Sequence, residues 1–460
     1  MTLWAYPMDS TGCGMYRVVW PLEALAEHRG LDWEMVPPGG DEGIGTRLDS
    51  EGHVTHIQVP EGCTGLFVQR PTSELLVETL TKLKRKLDMP LLVDVDDDLS
   101  SLSARHPAFH HLHPNSASRM PGHTASAVHQ ACDLADVVIA STPALLERYV
   151  RRGQLGVVLE NRLPRHLVPA IPPPHPNTSS HGGLQGGREA PSHTDPRVGP
   201  HAPPIGWTEG DEGLVHPASV AGRLRVGWPA SIITHPDDLL PALSALHRNQ
   251  VQPLWCLGPH PEVGRRINPR TRKPEPYRLA PHERRRLPYT PMVFSGPTDF
   301  PNWISHIRQH LDIALCPLEP TTFNAAKSWL KPLECAAALT PFIASDTSEY
   351  RRLGAGLLAN KKTWHRHLRL LLNDPDARQE ERERNTLIAQ ANTYDSPASL
   401  DGYAKVFQPW MTPHVHDFTQ PPGSLEFPQR CRCGTPDLSS RRHAAARAER
   451  SEAPSATLTP

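Results

Sequence analysis

No run of apolar residues in this 460-residue chain approaches the roughly 18 that a membrane-spanning helix needs, and no basic segment followed by an apolar one opens it. The expectation is a soluble, cytoplasmic protein with no stable membrane insertion. An excess of one charge is missing too: 48 Lys and Arg stand against 49 Asp and Glu, for a net charge of -1. No global field therefore draws nucleic acid or an anionic membrane, and either could be met only through a local patch. The eight cysteines are scattered, which argues against a disulfide framework. Cys63, Cys132, Cys256, Cys316 and Cys335 lie in or near apolar stretches and read as small buried hydrophobes in a reducing compartment. Cys431 and Cys433 form a CRC in a polar tail, where a metal site would need two further ligands nearby.

Hydrophobic residues make up 38%, a low share for a chain folded throughout, and the 51 prolines are about double the usual proportion. Much of the proline excess falls in two stretches. Pro172 to Ala221 is rich in Pro, Gly, Ser and His and almost free of apolar side chains. It cannot bury enough surface to offset ordering entropy, so 172–221 is expected to be a disordered linker or insertion. The Pro- and Arg-rich tail, 412–460, is expected to be disordered as well. These stretches delimit a domain at 1–165, a second at 222–375 and C-terminal helices over 376–411.

The first domain alternates strand and helix. Thr2 to Tyr6 is apolar, a loop containing Gly12 and Gly14 follows, and Val18 to Glu27 is amphipathic. The two glycines would let backbone approach a phosphate or sugar, although an ordinary tight turn explains the same pattern. Strands are expected at Leu66 to Gln69, Leu91 to Val95, Val137 to Ala140 and Gly156 to Leu159, with helices at about Ser73 to Leu87, Thr124 to Ala135 and Ala144 to Val150. The third strand runs into Asp94, Asp96, Asp97 and Asp98. Four carboxylates at a strand end repel unless solvated, protonated or neutralised. They could hold a divalent metal with His106, His110, His111 and His113, line a polar cleft in which one orients a hydroxyl or acts as a base, or cap the next turn.

The second domain repeats the alternation. Strands are expected at Leu224 to Trp228, Pro253 to Leu257 and Pro291 to Phe294, with helices at Asp237 to Leu246 and Trp303 to His310. Leu311 to Tyr350 then forms a strand, loop, helix, strand unit: Ile313 to Leu315, a helix from about Asn324 to Leu339, and Pro341 to Ala344. On that helix Lys327, Lys331 and Glu334 are spaced i, i+4, i+7 and would share one side. Two ammonium groups near a helix start point to an anion, a phosphate-bearing ligand above all; the alternative is a solvated face with a Lys331–Glu334 pair. Further helical segments are expected at His365 to Leu372 and Gln379 to Asn392. The fold class is α/β, with two doubly wound parallel-sheet domains facing a central cleft.

The stretches GCGMYRVVWPLEAL, LLVDVDDDL, ADVVIASTPALLERYV, VGWPASIITHPDDL and LDIALCPLEPTTFNAAKSWLKPLECAAALTPFIASD carry a resemblance. The chain resembles the nucleotide-sugar glycosyltransferases of the two-Rossmann-domain (GT-B) architecture, in the group 1, family 4-like branch, especially phage and bacterial members with an FNxxKSxLKxLE motif. The resemblance implies transfer of a sugar from a nucleoside-diphosphate sugar, with retention of configuration and no strict need for a metal or other cofactor. It places Gly12 and Gly14 toward the donor diphosphate and sugar. Ser231 would bond phosphate oxygens, with His235 close by. Lys327 and Lys331 would oppose the diphosphate and Glu334 would accept from the ribose hydroxyls, which leaves contact with the sugar to Asn324, Lys327 or the backbone N–H groups of residues 324 to 326. By position, Asp94, Asp96 and the nearby histidines are the candidates for a catalytic base. Group 1 enzymes commonly carry two glutamates with seven residues between them; Glu334 fits the second, and Ala326 stands at the first. The acceptor stays open between glycan, protein, lipid and modified DNA base, as does the location in a host cytoplasm if the chain is phage-encoded. Two alternatives remain: a catalytically inactive GT-B-like module that binds a saccharide or nucleotide, and a metal-dependent GT-A-type transferase using Asp94 and Asp96.

Overall fold

Short apolar runs that end on Gly, Pro, Asp or Ser become the central strands, because a parallel strand covered by helices on both faces needs no polar alternation. A computed structural model describes residues 2–9, 12–36, 45–113, 120–168, 223–232, 235, 237–258, 263–267, 274–278, 288–289, 292–295 and 302–411. The segments expected to be disordered, 172–221 and 412–460, lie outside the described residues, as do Cys431 and Cys433.

The first sheet is built from β1 (Thr2–Tyr6), β2 (Trp33–Met35), β5 (Cys63–Gln69), β6 (Leu91–Val95), β7 (Val137–Ala140) and β8 (Leu155–Val158). Their order is β2-β1-β5-β6-β7-β8, all parallel. The hairpin β3 (Gly45–Leu48) and β4 (Val54–Gln58) stands beside it. Strand order reverses between β1 and β5, so their carboxyl ends form the crevice where such sheets take ligands. The helices follow from local signals. Leading into α1 (Trp20–Arg29), the chain is helical from Gly12 and passes through a π turn at Met15–Val19. Ser73 caps α2 (Glu74–Leu87) and Thr142 caps α3 (Pro143–Tyr149), each through its side-chain oxygen.

The second sheet comprises β9 (Val226–Trp228), β10 (Leu254–Cys256), β13 (Met292–Phe294), β14 (Ile313–Cys316), β15 (Phe342–Ser345) and β16 (Leu357–Ala359). The order is β13-β10-β9-β14-β15-β16, again parallel, with a separate hairpin of β11 (Val263–Ile267) and β12 (Pro274–Arg278). Its switch point lies between β9 and β14. Against this sheet pack α5 (Leu330–Ala337), on β14 and β15, and α6 (Trp364–Asn373), on β15 and β16, with α4 (Leu243–Arg248) lying against α6. After α6 a long helix, Pro375–Ala391, leads to α7 (Pro397–Phe407), which lies against α1 of the first domain. The Tyr394 hydroxyl donates to the Tyr16 carbonyl there, and Trp410 presses on Gly65, where an added Cβ would come within 2.2 Å of its ring. The chain therefore has two doubly wound parallel-sheet domains whose carboxyl ends face one another, the GT-B arrangement. Among the described residues no helix is long and apolar enough to cross a membrane.

Several expectations need correction. Gly12 and Gly14 are not in an open loop but in the first helical turn. Gly14 donates its N–H to Asp9 Oδ1 at 3.2 Å, and a Cβ there would fall 1.8 Å from the Asp9 carbonyl oxygen. This glycine is required by backbone crossing backbone. The expected helix from Asn324 to Leu339 is broken: Asn324–Ala326 is a 3-10 turn, Lys327 is extended, and α5 begins only at Leu330. Pro332 is the cause. Deep inside one continuous helix it would remove a hydrogen bond and clash with the preceding turn, whereas the first turn of α5 tolerates it. The helix expected at Asp237 to Leu246 is likewise divided, with a 3-10 turn at Leu240–Ala242 around Pro241 before α4. Six cysteines lie among the described residues, and all are free. Cys132, Cys256, Cys316 and Cys335 are buried as expected, while Cys63 is half-buried.

Candidate functional site

The carboxyl ends of the first sheet supply one wall. Asp94, at the end of β6, is fully buried and held by Arg17, itself only 2% exposed. Arg17 Nη2 donates to Asp94 Oδ1 at 2.5 Å, and Nε lies 3.1 Å from Oδ2. Arg17 Nη1 donates to the Leu159 carbonyl at 2.5 Å and to Asn161 Oδ1 at 3.1 Å. This network ties the π turn to β6 and to the end of β8, and it encloses the Asp94 carboxylate. Asp98 is also buried, receiving Ser100 Oγ at 2.5 Å and Tyr149 Oη at 3.2 Å together with Ser101 and the Arg148 guanidinium. Burial pushes the Asp98 carboxyl up, but the bonds from Ser100, Ser101 and Arg148 outweigh it and hold it below the usual range.

Asp96 and Asp97 share one cation. Arg70 Nη1 stands 3.2 Å from Asp96 Oδ1 and 3.2 Å from Asp97 Oδ2. Arg70 has φ +42°, a left-handed conformation uncommon for a side-chain-bearing residue. Its place immediately after β5 brings the guanidinium to the crevice. Asp97 Oδ1 faces Lys327 Nζ of the second domain at 3.2 Å. The run of four aspartates is thus answered by Arg17, Arg70, Arg148 and Lys327. Among the described residues no group of three His, Cys, Asp or Glu is placed to hold a metal ion. His106 instead turns toward the second domain, 5.3 Å from the Phe323 ring and 6.2 Å from that of His235.

The opposite wall is the loop after β14, the start of α5 and the loop after β9. Asn324 is 6% exposed; its Nδ2 donates to Asp238 Oδ1 at 2.5 Å and to the Glu319 carbonyl at 3.0 Å. Asp238 Oδ2 also lies 3.3 Å from His235 Nδ1. Ser231, after β9, accepts the His235 N–H at its carbonyl at 2.9 Å and abuts Gly258, where a Cβ would lie 3.1 Å from the Ser231 Cα. Lys327 Nζ sits 4.5 Å over the Phe323 ring. Burial works against its charge, but Asp97 and Asp238 more than compensate and raise its pKa. Lys331 Nζ is 3.3 Å from Glu334 Oε2 and 5.3 Å over the Trp303 ring. Glu334 is 2% exposed. Lys331 and Glu334 are on α5, whereas Lys327 reaches the same region from extended backbone, so the three do not share a helix face.

The walls touch. Thr142 Oγ1 donates to the Ala326 carbonyl at 2.9 Å, Arg148 Nη1 to the Thr322 carbonyl at 3.2 Å, Asn161 Nδ2 to Ser328 Oγ at 2.7 Å and Trp329 Nε1 to the Asn161 carbonyl at 2.9 Å. Ala326 is 1% exposed against the first domain's core. The cavity beside His106, His235 and Asn324 is about 30 Å³, room for a water or two.

Arg17, Arg70, Arg148 and Asn161 were not singled out by sequence reasoning. Arg17 is 77 positions from Asp94, and no local pattern announces such a pair. The one available signal was electrostatic, since four aspartates at a strand end require cations from elsewhere.

The half-buried imidazoles give the protein a pH dependence. Burial, aided by His235 and Lys327, lowers His106 to about 4; burial and His310 lower His306 to about 4; His235 is lowered by burial and Lys327. An unfolded histidine titrates at about 6.5. The unfolded chain therefore binds more protons below that pH, and stability present at pH 7 is lost as pH falls toward 4. Asp94, pushed up to about 6 by burial against the pull of Arg17, acts in the opposite sense between about 4 and 6. Glu23, Glu349 and Glu381, raised by burial, act with Asp94, and His367, lowered by burial and Arg366, acts with the other histidines. Unfolded histidines take up their protons between pH 7 and 5, and that uptake sets the sign. The urea midpoint is expected to be lower at pH 5 than at pH 7, and a rise at pH 5 would contradict the half-buried, neutral histidines.

No protein-family profile matches the chain, and no curated protein sequence matches it. Solved structures are similar in architecture. HepE from Anabaena, in complex with UDP and glucose, is 12% identical with a TM-score of 0.48, covering 89% of this chain and 100% of that one. An α,α-trehalose 6-phosphate synthase from Burkholderia multivorans is 12% identical with a TM-score of 0.46, covering 89% and 96%. The N-terminal domain of trehalose-6-phosphate phosphatase from Candida albicans is 8% identical with a TM-score of 0.48, covering 89% and 98%.

Proposed function

We propose that the chain is a glycosyltransferase that moves a sugar from a nucleoside-diphosphate sugar to an acceptor in the cytoplasm, with retention of configuration. One observation carries the reading: the switch points of two parallel sheets face each other, and the second contributes Lys327, Lys331 and the buried Glu334 to one wall. In the reaction the bond between the anomeric carbon and the diphosphate oxygen breaks, the diphosphate leaves with the electron pair, and the acceptor oxygen, giving its proton to Asp96, bonds to the anomeric carbon on the face the diphosphate leaves. Stabilising that charge is the main electrostatic task. Lys327 and Lys331 are suited to it, with Ser231 hydrogen-bonding phosphate oxygens and His235, neutral at pH 7, beside them. Glu334 accepts from the ribose hydroxyls. Asn324, fixed by Asp238 and the Glu319 carbonyl, presents a rigid amide toward the sugar. An acceptor hydroxyl entering from the first domain would meet Asp96, whose Oδ1 makes no well-aligned hydrogen bond. Asp94 is committed to Arg17 and orders the wall behind it.

A second reading, a saccharide- or nucleotide-binding module without turnover, is favoured by Ala326, which fills a place where a carboxylate would otherwise meet the donor sugar. Mass spectrometry of candidate acceptors incubated with a panel of sugar nucleotides separates the two. Transfer is expected with at least one donor, with a mass gain of one sugar residue on the acceptor. Nucleotide binding without transfer from any donor would leave the binding module, and absence of both would contradict both readings.

A further inference from the structure

Away from the cleft, a second concave site of about 250 Å³ opens between α4 and α6 on the outer side of the second domain. The side chains around it include Arg248 at the end of α4, Lys361 and Lys362 in the loop after β16, His365 in the first turn of α6, the Ser244 hydroxyl and the buried Trp364. Among the described residues no carboxylate lines it. Elsewhere arginines and lysines at recesses are answered in place, as Arg17, Arg70, Arg148 and Lys327 are by the aspartates after β6. Among the described residues Arg248, Lys361 and Lys362 make no ion pair. The recess is also held in shape, because Asn249 Nδ2 bridges α4 and α6 by donating to the Ala245 carbonyl at 2.9 Å and the His365 carbonyl at 3.2 Å. In a chain of net charge -1, three cations and an imidazole converging on a hollow with no carboxylate among the described residues form a local positive potential that an anion would relieve.

We propose that this recess binds a phosphate group, with Lys361, Lys362 and Arg248 supplying the charge and Ser244 and His365 hydrogen bonds. The volume suits a phosphomonoester or diphosphate head and leaves no room for an extended nucleotide sugar. The same chemistry is offered by a free phosphorylated metabolite and by the headgroup of an anionic lipid. The site is separate from the proposed donor cleft and does not depend on that assignment.

The test is calorimetric titration of the full chain with inorganic pyrophosphate at low ionic strength, in the Lys331→Ala background so that any anion binding in the cleft is weakened. Binding is expected to persist there, and to weaken at least tenfold when Lys361→Ala and Lys362→Ala are added. The exposed pair Arg85→Ala and Lys86→Ala on α2 should leave it unchanged. All four positions are exposed, so loss of fold is not expected, and the melting temperature without ligand checks it. A parallel arm uses phosphatidylcholine vesicles with and without phosphatidic acid. Co-sedimentation that requires phosphatidic acid and Lys361/Lys362 assigns the phosphate to a lipid, and pyrophosphate binding without co-sedimentation assigns it to a free anion. The proposal is overturned by absence of both, or by a loss in the Arg85/Lys86 variant equal to that in the Lys361/Lys362 variant.

Discussion

Replacing Arg17 by alanine is expected to destabilise the protein by about 3–5 kcal/mol, the cost of leaving a fully buried carboxylate without its partner. Asp94 has no exposure to recruit water, and it loses all the bonds from the guanidinium at once. The Leu159 carbonyl and Asn161 Oδ1 lose a donor at the same time, and each such buried acceptor adds about 1–3 kcal/mol if nothing replaces it. The two contributions can be separated. Adding Asp94→Leu to Arg17→Ala removes the orphaned charge but not the orphaned acceptors, so the double variant should recover part of the loss and not all of it. Urea denaturation of the single and double variants reads this directly. Equal midpoints for wild type and Arg17→Ala would show that the pair is not the tie between the π turn and the strand ends. Full recovery in the double variant would show that the bonds to Leu159 and Asn161 carry nothing.

The second large effect concerns Lys327. Its ammonium rests between Asp97 of the first domain, at 3.2 Å, and the Phe323 ring. Under the proposed reading a donor diphosphate would compete with Asp97 for it. Lys327→Ala is then expected to lower kcat/KM by about 10²–10³, the range for loss of one preorganised group that stabilises a departing anion. Asp97→Asn has the opposite sign in binding. It removes the competing carboxylate and weakens a contact that holds the domains together, so nucleoside-diphosphate affinity should rise several-fold. Arg70 limits the disturbance, because it remains paired with Asp96. If both variants weakened nucleotide binding alike, Asp97 would be part of the donor site and not a competitor for its lysine.

The fold was legible where burial on both faces of a strand forces a continuous apolar run. Leu91 to Val95, Val137 to Ala140 and Ile313 to Leu315 each became a central strand, and the N-cap at Thr142 before Pro143 became the start of α3. Edge strands were less legible. Trp33–Met35 and Leu357–Ala359 are only partly buried, unlike the equally short but fully buried β9, β10 and β13, so neither is bound to the continuous apolar run of a covered strand. In the candidate site, residue types were legible and their relations were not. Lys331 and Glu334 do share α5, but Lys327 was placed on the same helix by spacing alone, and Pro332 moves the helix start past it. Gly14 drew attention as a ligand-facing glycine, yet it meets the Asp9 backbone. Arg17 and Arg70 escaped because their partners are distant in sequence, and tertiary pairing leaves no mark on local pattern.

The central claim is that the cleft beside α5 binds a nucleoside diphosphate. Lys331 is the clean position at which to test it, because its ammonium pairs only with Glu334 on the same helix among the described residues and holds no contact between the domains. Calorimetric titration of UDP and of GDP into the wild type and into Lys331→Ala is the direct measurement. Saturable binding of at least one of them by the wild type, weakened at least tenfold in the variant, is the predicted result. Absence of binding by the wild type, or equal affinity in both proteins, would contradict it.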